Sequence, residues 1–168
     1  KAAGMSAGHI YHYFDNKEAI IAAIVAQDLA RVLTLTAELR SARDVKDAMI
    51  ASVSESVIEH LDPDVAALRL EIVAEAARHP AIAEIVRAAD ARIRADVAET
   101  IRGVLVNAGH PDGAATADPT TEVIFAMFEG LLIRAVRNPT LDRQRVVQMV
   151  RDAVEHLLTP PEGRRKLG

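Results

Sequence analysis

A short segment near the start of the sequence holds the side chains best suited to bind a polyanion. Three of the five aromatic residues, both tyrosines among them, lie within positions 2–20. The hydroxyls of Tyr11 and Tyr13 and the imidazole of His12 can donate hydrogen bonds to phosphate oxygens. Lys17 adds a positive charge. This composition predicts a contact with the backbone of a nucleic acid.

The same segment is expected to form a short helix after a tight turn. Gly4 breaks the preceding helix, and Ser6 can cap the next one over residues 7–14. The small side chains of Ala7 and Gly8 would let the helix N-terminus approach a phosphate closely. There the helix dipole and the free amide groups favour an anion.

A helix this short needs an apolar anchor. Ile10 and Phe14 share one helical face and can supply it. The alternative is that Tyr11, Tyr13 and Phe14 only pack the helix against the rest of the protein. For Ile10 and Phe14 we favour packing, and for Tyr11 we favour contact with DNA.

The composition favours an all-α protein. Of the 168 residues 50% are hydrophobic and only 3% are aromatic, and the chain has no cysteine. This balance favours helices and fits a reducing cytoplasm. The net charge of −4 excludes DNA binding by bulk charge, so any contact with DNA must be local. Because charged residues interrupt the apolar stretches, we expect no membrane span and no membrane partner.

Apolar residues at helical spacing, separated by helix-breaking pairs, predict six further helices. Asp44 and Asp62 are expected to cap helices, and the stretch 109–118 is expected to be an exposed loop that ends at an Asp118-Pro119 cap. The predicted helices cover residues 17–40, 45–61, 64–78, 82–106, 119–137 and 141–158.

The motif residues resemble a known family. Gly4-Met5-Ser6, Ile10-Tyr11, Tyr13-Phe14 and Lys17-Glu18 are similar to the turn, the recognition helix and the start of the next helix in regulators of the tetracycline-repressor (TetR) family. The resemblance implies an all-α fold, with a helix-turn-helix DNA-binding head and a helical body for ligand binding and dimerisation. The first part of the head would then precede Lys1.

The resemblance also implies roles for individual residues. Threonine is usual in the family where this chain has His9, so the phosphate contact at that position is expected to be replaced by another. The residues implied to face base edges or the groove are Ala7, Gly8, His9 and His12. Those implied to hold phosphates are Ser6, Tyr11, Tyr13 and Lys17.

TetR-like proteins pair through their last two long helices in a four-helix bundle, and the last two predicted helices here have broad apolar faces. Gly130 would permit close helix approach. The alternative is that these faces form a core within one chain. A two-fold dimer would place two recognition helices about 34 Å apart on a palindromic operator. The expected interface residues are Val123, Met127, Leu131, Val147, Val150, Val154 and Leu158.

The family resemblance further implies an effector pocket within the central helices. Periodicity does not separate a pocket wall from a filled core, so both interpretations stay open. Glu71 and Glu75 could orient a ligand, or they could form ion pairs on an exposed helix face. The expected lining residues are Met49, Val53, Leu68, Ile72, Glu75, Phe125 and Phe128.

Metal binding and catalysis are disfavoured by the sequence. His60, Glu75 and His79 have suitable side chains but no ligand-spacing signature. A helical enzyme would depend on Glu71, Glu75 and His79 alone, because the sequence has no phosphate loop and no nucleophile elbow. We therefore expect no cofactor and no enzyme.

Taken together, the sequence patterns and the family resemblance predict a ligand-responsive repressor in the cytoplasm. Residues 1–40 would hold the head and a connecting helix, residues 41–159 the ligand-binding and dimerisation domain, and residues 160–168 a disordered tail. A small-molecule effector would push the helix of residues 17–40 and change the spacing of the two heads of a homodimer. The alternative is a helical ligand-binding or scaffolding dimer that does not bind DNA.

Overall fold

The computed structural model describes Phe14 and residues 16–160, and these residues form an all-α fold as predicted. Most of the predicted helix boundaries agree with the observed ones within a few residues. The helices are α1 (Lys17–Ser41), α2 (Val45–His60), α3 (Pro63–Arg78), α4 (Pro80–Asn107), α5 (Gly113–Arg137) and α6 (Arg143–Leu157). The short helix predicted over residues 7–14 and the predicted tail lie outside the described residues, apart from Phe14 and Pro160.

Side-chain caps determine where four of these helices begin. Asp44 accepts a hydrogen bond from the amide of Asp47 at 2.9 Å, and Asp62 accepts from Asp64 and Val65 at 2.9 and 3.1 Å. Both caps were predicted and are confirmed. Such a cap satisfies amide groups that have no partner within the helix. The other two helices begin after Asn16 and Asp142, whose side chains also cap them.

The prediction of an exposed loop over residues 109–118 is wrong in its second half. Gly109, with a φ of 75°, ends the turn after α4, and α5 already begins at Gly113. A Cβ atom on Gly113 would lie 3.1 Å from the backbone of Leu105, so glycine favours this close approach and a larger residue would require the two helices to shift apart slightly.

Pro119 therefore lies inside α5 and is not its first residue. A proline at this position removes one helical hydrogen bond, which disfavours a helix. The alanines before it are strong helix formers, and Ala117 is fully buried in the core. Burial of this first part of α5 outweighs the local penalty, and the sequence pattern alone did not reveal it.

The core has two parts of different size. The main core joins α2 to α6 and contains fifteen buried residues, of which Val57, Ile101, Leu105 and Leu158 are completely inaccessible to solvent. The head-side core joins the first half of α1 to α3 and α4 through three buried isoleucines. These isoleucines are Ile21, Ile72 and Ile82.

The second half of α1 is attached to α4 by a polar cluster. The hydroxyl of buried Thr36 donates to Asp96, and Arg40 donates to Asp96 and, at 2.8 Å, to the hydroxyl of Thr100. Partial burial opposes ionisation of Asp96, but the hydrogen bonds from Thr36 and Arg40 outweigh it and lower the pKa of the carboxyl group. We call these four residues the α1 anchor.

Contrary to the sequence expectation, one described helix, α1, is long and apolar enough to cross a membrane by length and composition. Only 11% of its most apolar window is buried. Many apolar side chains of α1 that are not buried, such as Ile24, Val32, Leu35 and Leu39, line a cavity between the helices. Much of the apolar surface of α1 that is not buried therefore faces that cavity.

Candidate functional site

The cavity is lined mainly by the first five helices, with Val154 of α6 also in its wall, and has a volume of about 720 Å³. Six of the seven residues predicted to line a pocket contribute to its wall, while the seventh, Glu75, does not. The six residues are Met49, Val53, Leu68, Ile72, Phe125 and Phe128. This volume is in the range typical of small-molecule sites.

The cavity opens to solvent beside α3. Leu68 and Val73 line it, yet 46% and 58% of their surfaces remain accessible. Large apolar side chains exposed at the rim of a cavity are typical of a ligand-binding site.

One part of the wall carries a network of charged residues that joins three helices. Arg69 of α3 donates to Glu59 of α2 at 3.0 Å and to Asp28 of α1 at 3.2 Å. Arg31 of α1 pairs with the same two carboxylates, at 2.7 Å from Asp28 and 3.1 Å from Glu59. We call these four residues the charge network; its two positive and two negative charges balance.

His60 lies between this network and the apolar wall. Its Nδ1 atom is 2.7 Å from the carbonyl of Ser56, and its Nε2 atom is 2.9 Å from Arg69. The ring centroid is 5.1 Å from that of Phe128. Burial, followed by the charge of Arg69, lowers the pKa of His60, so the ring is neutral, with Nδ1 donating to Ser56 and Nε2 accepting from Arg69.

A smaller groove of about 430 Å³ lies between α1 and α2. It shares Arg31, Ser56 and Glu59 with the large cavity, and Glu38 and Glu55 extend it toward solvent. The groove is therefore an acidic extension of the large cavity.

Of the predicted DNA contacts, the structure describes Lys17. Its Nζ atom lies 3.0 Å from Glu75 and 3.9 Å from Glu71, both on α3. Glu75 also pairs with Arg78 and lies 3.4 Å from Nε2 of His79. Hydrogen bonds from Arg78 and then Lys17 lower the pKa of Glu75. The other predicted contacts, Ser6, Ala7, Gly8, His9, Tyr11, His12 and Tyr13, lie outside the described residues.

The predicted dimer residues separate into two groups. Leu131, Val150, Val154 and Leu158 are buried in the main core, so they pack within one subunit instead of forming a surface. Met127 and Val147 are partly buried against that core, and Val123 is 47% exposed. Periodicity identified the apolar faces of α5 and α6, but it did not show that α5 packs mainly against α4 and α3, and α6 mainly against α2, within the same subunit.

Other apolar side chains of α5 and α6 remain exposed. They are Ile133, Val136 and Met149. At Gly130 on α5, a Cβ atom would meet nothing within 4 Å, so the backbone there is open to a neighbouring molecule.

The described residues do not contain a group of three or more His, Asp or Glu side chains that could hold a metal ion. Glu75 and His79 are close together, but His60 is instead bound to Arg69 and Ser56. These three side chains therefore have partners within the protein.

Two parts of the sequence match known families. Residues 49–159 match the C-terminal domain of BetI-type transcriptional repressors, and residues 1–24 match the tetR family of bacterial regulatory proteins. The chain belongs to the TetR family. Its family and its relatives are transcriptional regulators and not enzymes.

Named relatives agree with this assignment. The HTH-type transcriptional regulator UidR of Escherichia coli (strain K12) is 33% identical over 102 residues, which cover 61% of this chain and 51% of UidR. UidR of Shigella flexneri matches with the same figures. The chain thus spans about half the length of the curated relatives that it matches.

A solved structure of Salmonella enterica GusR is similar to this TetR-family chain, with a TM-score of 0.65 and 26% sequence identity. The match covers 94% of this chain and 80% of GusR. The fold similarity therefore extends over almost the whole chain.

The charge network was not predicted from the sequence. Asp28 and Arg31 are three residues apart on α1, a spacing that signals only a local ion pair. Nothing in the sequence connects them to Glu59 or Arg69, because those contacts depend on how three helices pack. The Glu59-His60 pair at the end of α2 was the one available signal, since a histidine near a helix C-terminus is often functional or capping.

Proposed function

We propose that this TetR-family protein is a cytoplasmic repressor that binds a palindromic operator as a homodimer and releases it when a small-molecule effector fills the cavity. The observation that carries the proposal is that α1 lines the cavity and also begins at Lys17, directly after the segment expected to bind DNA. A ligand that displaces α1 from its place in the cavity wall would therefore also move the segment that is joined to the start of α1.

The proposed dimer surface keeps Val123 from the set first predicted and replaces the residues that the main core buries. It would consist of the exposed apolar side chains Val123, Ile133, Val136 and Met149, with Gly130 at the closest approach. Exposed apolar residues on adjacent helices favour association, because pairing removes them from water.

DNA binding is tested with the full-length protein and fragments of its own upstream region in a mobility-shift assay. Tyr11→Ala and Lys17→Ala should each weaken binding, because each removes a proposed phosphate contact, and should leave the dimer seen by analytical ultracentrifugation intact. Lys46→Ala is the matched control. Lys46 is not a proposed DNA contact, and its ammonium group donates to the hydroxyl of Thr159. Unchanged affinity in both test variants would refute the assigned contacts.

The second candidate is a helical ligand-binding or scaffolding dimer without DNA recognition. The acidic net charge of −4 and the pairing of Lys17 with Glu75 favour it. The same assay separates the two functions, because the repressor should bind one DNA fragment with an affinity that falls steeply as salt rises. A dimer that binds ligand but no DNA would support the second candidate.

A further inference from the structure

The walls of the cavity are apolar over most of their surface. Val32, Val53, Val97, Ile101 and Leu132 belong to a continuous lining contributed by four helices. Transfer of an apolar group from water into such a site is favourable, whereas transfer of a charged group is costly unless a counter-charge receives it.

The charge network does not provide a counter-charge. Both guanidinium groups, Arg31 and Arg69, are already paired with Asp28 and Glu59 at 2.7 to 3.2 Å. His60 is neutral and has both ring nitrogens occupied. An anionic ligand would have to displace a carboxylate that the protein itself supplies.

The surroundings of the cavity add negative charge. Glu38 and Glu55 line the adjoining groove, and Glu129 lines the cavity itself. Within the described part of the chain, none of the three takes part in an ion pair. All three are exposed, so they repel an approaching anion but do not offer a buried site to a cation.

We propose that the effector of this cavity is an uncharged, largely apolar molecule, and that the balanced charge network excludes carboxylates and phosphates. This inference rests on the proposed function, because it assigns a chemical class to the effector. Uncharged hydroxyl or carbonyl groups can still be accommodated beside Ser52 and Ser56, which line the wall between the network and Met49.

The test uses three fluorescent probes that share a naphthyl ring and have polar groups of similar size but different charge: naphthalenemethanol, naphthylmethylammonium and naphthoate. The 168 residues of the sequence include no tryptophan, so they contribute little emission that overlaps the naphthyl signal. Titration of the full-length protein should give the tightest binding for the alcohol, with naphthoate at least about tenfold weaker, which corresponds to about 1.4 kcal/mol. Ile93→Phe, which narrows the cavity, should weaken all three probes.

Removal of one negative charge from the charge network should change the affinity of naphthoate relative to that of the alcohol. Glu59→Gln leaves the two arginines with one carboxylate, so naphthoate should gain about tenfold relative to the alcohol. Asp28→Asn also removes one carboxylate of the network, in this case the one on α1. It serves as the test variant if Glu59→Gln does not fold. Glu84→Gln is the matched control, because Glu84 is exposed on α4. The probe preference of this variant should equal that of the unaltered protein.

Each result has a definite meaning. Tightest binding of naphthoate or of the ammonium probe to the unaltered protein would overturn the inference, as would an unchanged preference in both network variants. Failure of the full-length protein to bind any DNA would instead refute the proposed function, while the order of the probes would still decide the chemistry of the cavity.

Discussion

The two ends of the helical body differ in how densely they are packed. Around the main core, α2 to α6 bury fifteen residues in one continuous cluster. Toward the head, α1, α3 and α4 share only three buried isoleucines, and a cavity of about 720 Å³ separates this small cluster from the main core, five of whose residues also line it. A tightly packed interior resists displacement, whereas elements around a cavity can move at lower cost. This difference predicts a rigid region around α6 and a more adaptable region next to the segment proposed to bind DNA.

The largest expected effect comes from matched deletions in the two cores. Leu105→Ala should lower the free energy of unfolding by about 2–5 kcal/mol, because it leaves a void in a filled region. Ile72→Ala should cost less, about 2 kcal/mol or below, because its side chain already borders the cavity. Urea denaturation of both variants measures the difference, and equal losses would contradict the comparison.

The α1 anchor gives the next largest effect. Asp96→Asn should lower the free energy of unfolding by about 1–2 kcal/mol, since it weakens charge-assisted hydrogen bonds from Arg40 and Thr36. Thermal denaturation followed by circular dichroism tests this value. Asp152→Asn, on an exposed part of α6, is the control and should change stability little.

A smaller effect is expected on DNA affinity. Glu75→Gln should tighten binding by a few-fold, up to about tenfold, because Lys17 loses its principal carboxylate partner and becomes available to a phosphate. Glu71→Gln is the control, since Glu71 is exposed and lies farther from the ammonium group. Weaker DNA binding by Glu75→Gln would show that the ion pair positions Lys17 for DNA instead of competing with it.

The smallest effect is a dependence of stability on pH. Because the pKa of His60 is lowered in the folded protein, the unfolded chain binds more protons below the usual pKa of about 6.5. Stability should therefore fall as the pH decreases through 6.5 toward the folded pKa. His60→Asn should reduce this slope in denaturation measured between pH 7.5 and 5, whereas His156→Asn, on the exposed side of α6, should retain it.

Much of the fold could be predicted from local signals. Asp44, Asp62 and the proline pairs determine helix ends through interactions within a few residues, and the sequence shows them directly. Pro119 misled the prediction because its effect depends on burial of Ala117 against α4, which is a tertiary property.

The candidate site was less predictable for the same reason. Apolar residues such as Leu68 and Phe128 were identified by periodicity, but the same periodicity assigned Val150 and Val154 to a surface although they are buried. The charge network depends on the packing of three helices, so neither its members nor its neutrality could be inferred from spacing.

The α1 anchor also determines how a small local movement would be transmitted. Thr36 and Arg40 attach one end of α1 to α4, while about 28 Å of helix separates Thr36 from Lys17 at the other end. A rotation of about 5° around that attachment would carry Lys17 through roughly 2.5 Å by this geometry. If the anchor holds that end in place, α1 would act as a lever, and a ligand near its middle would need to move it by only about half that distance.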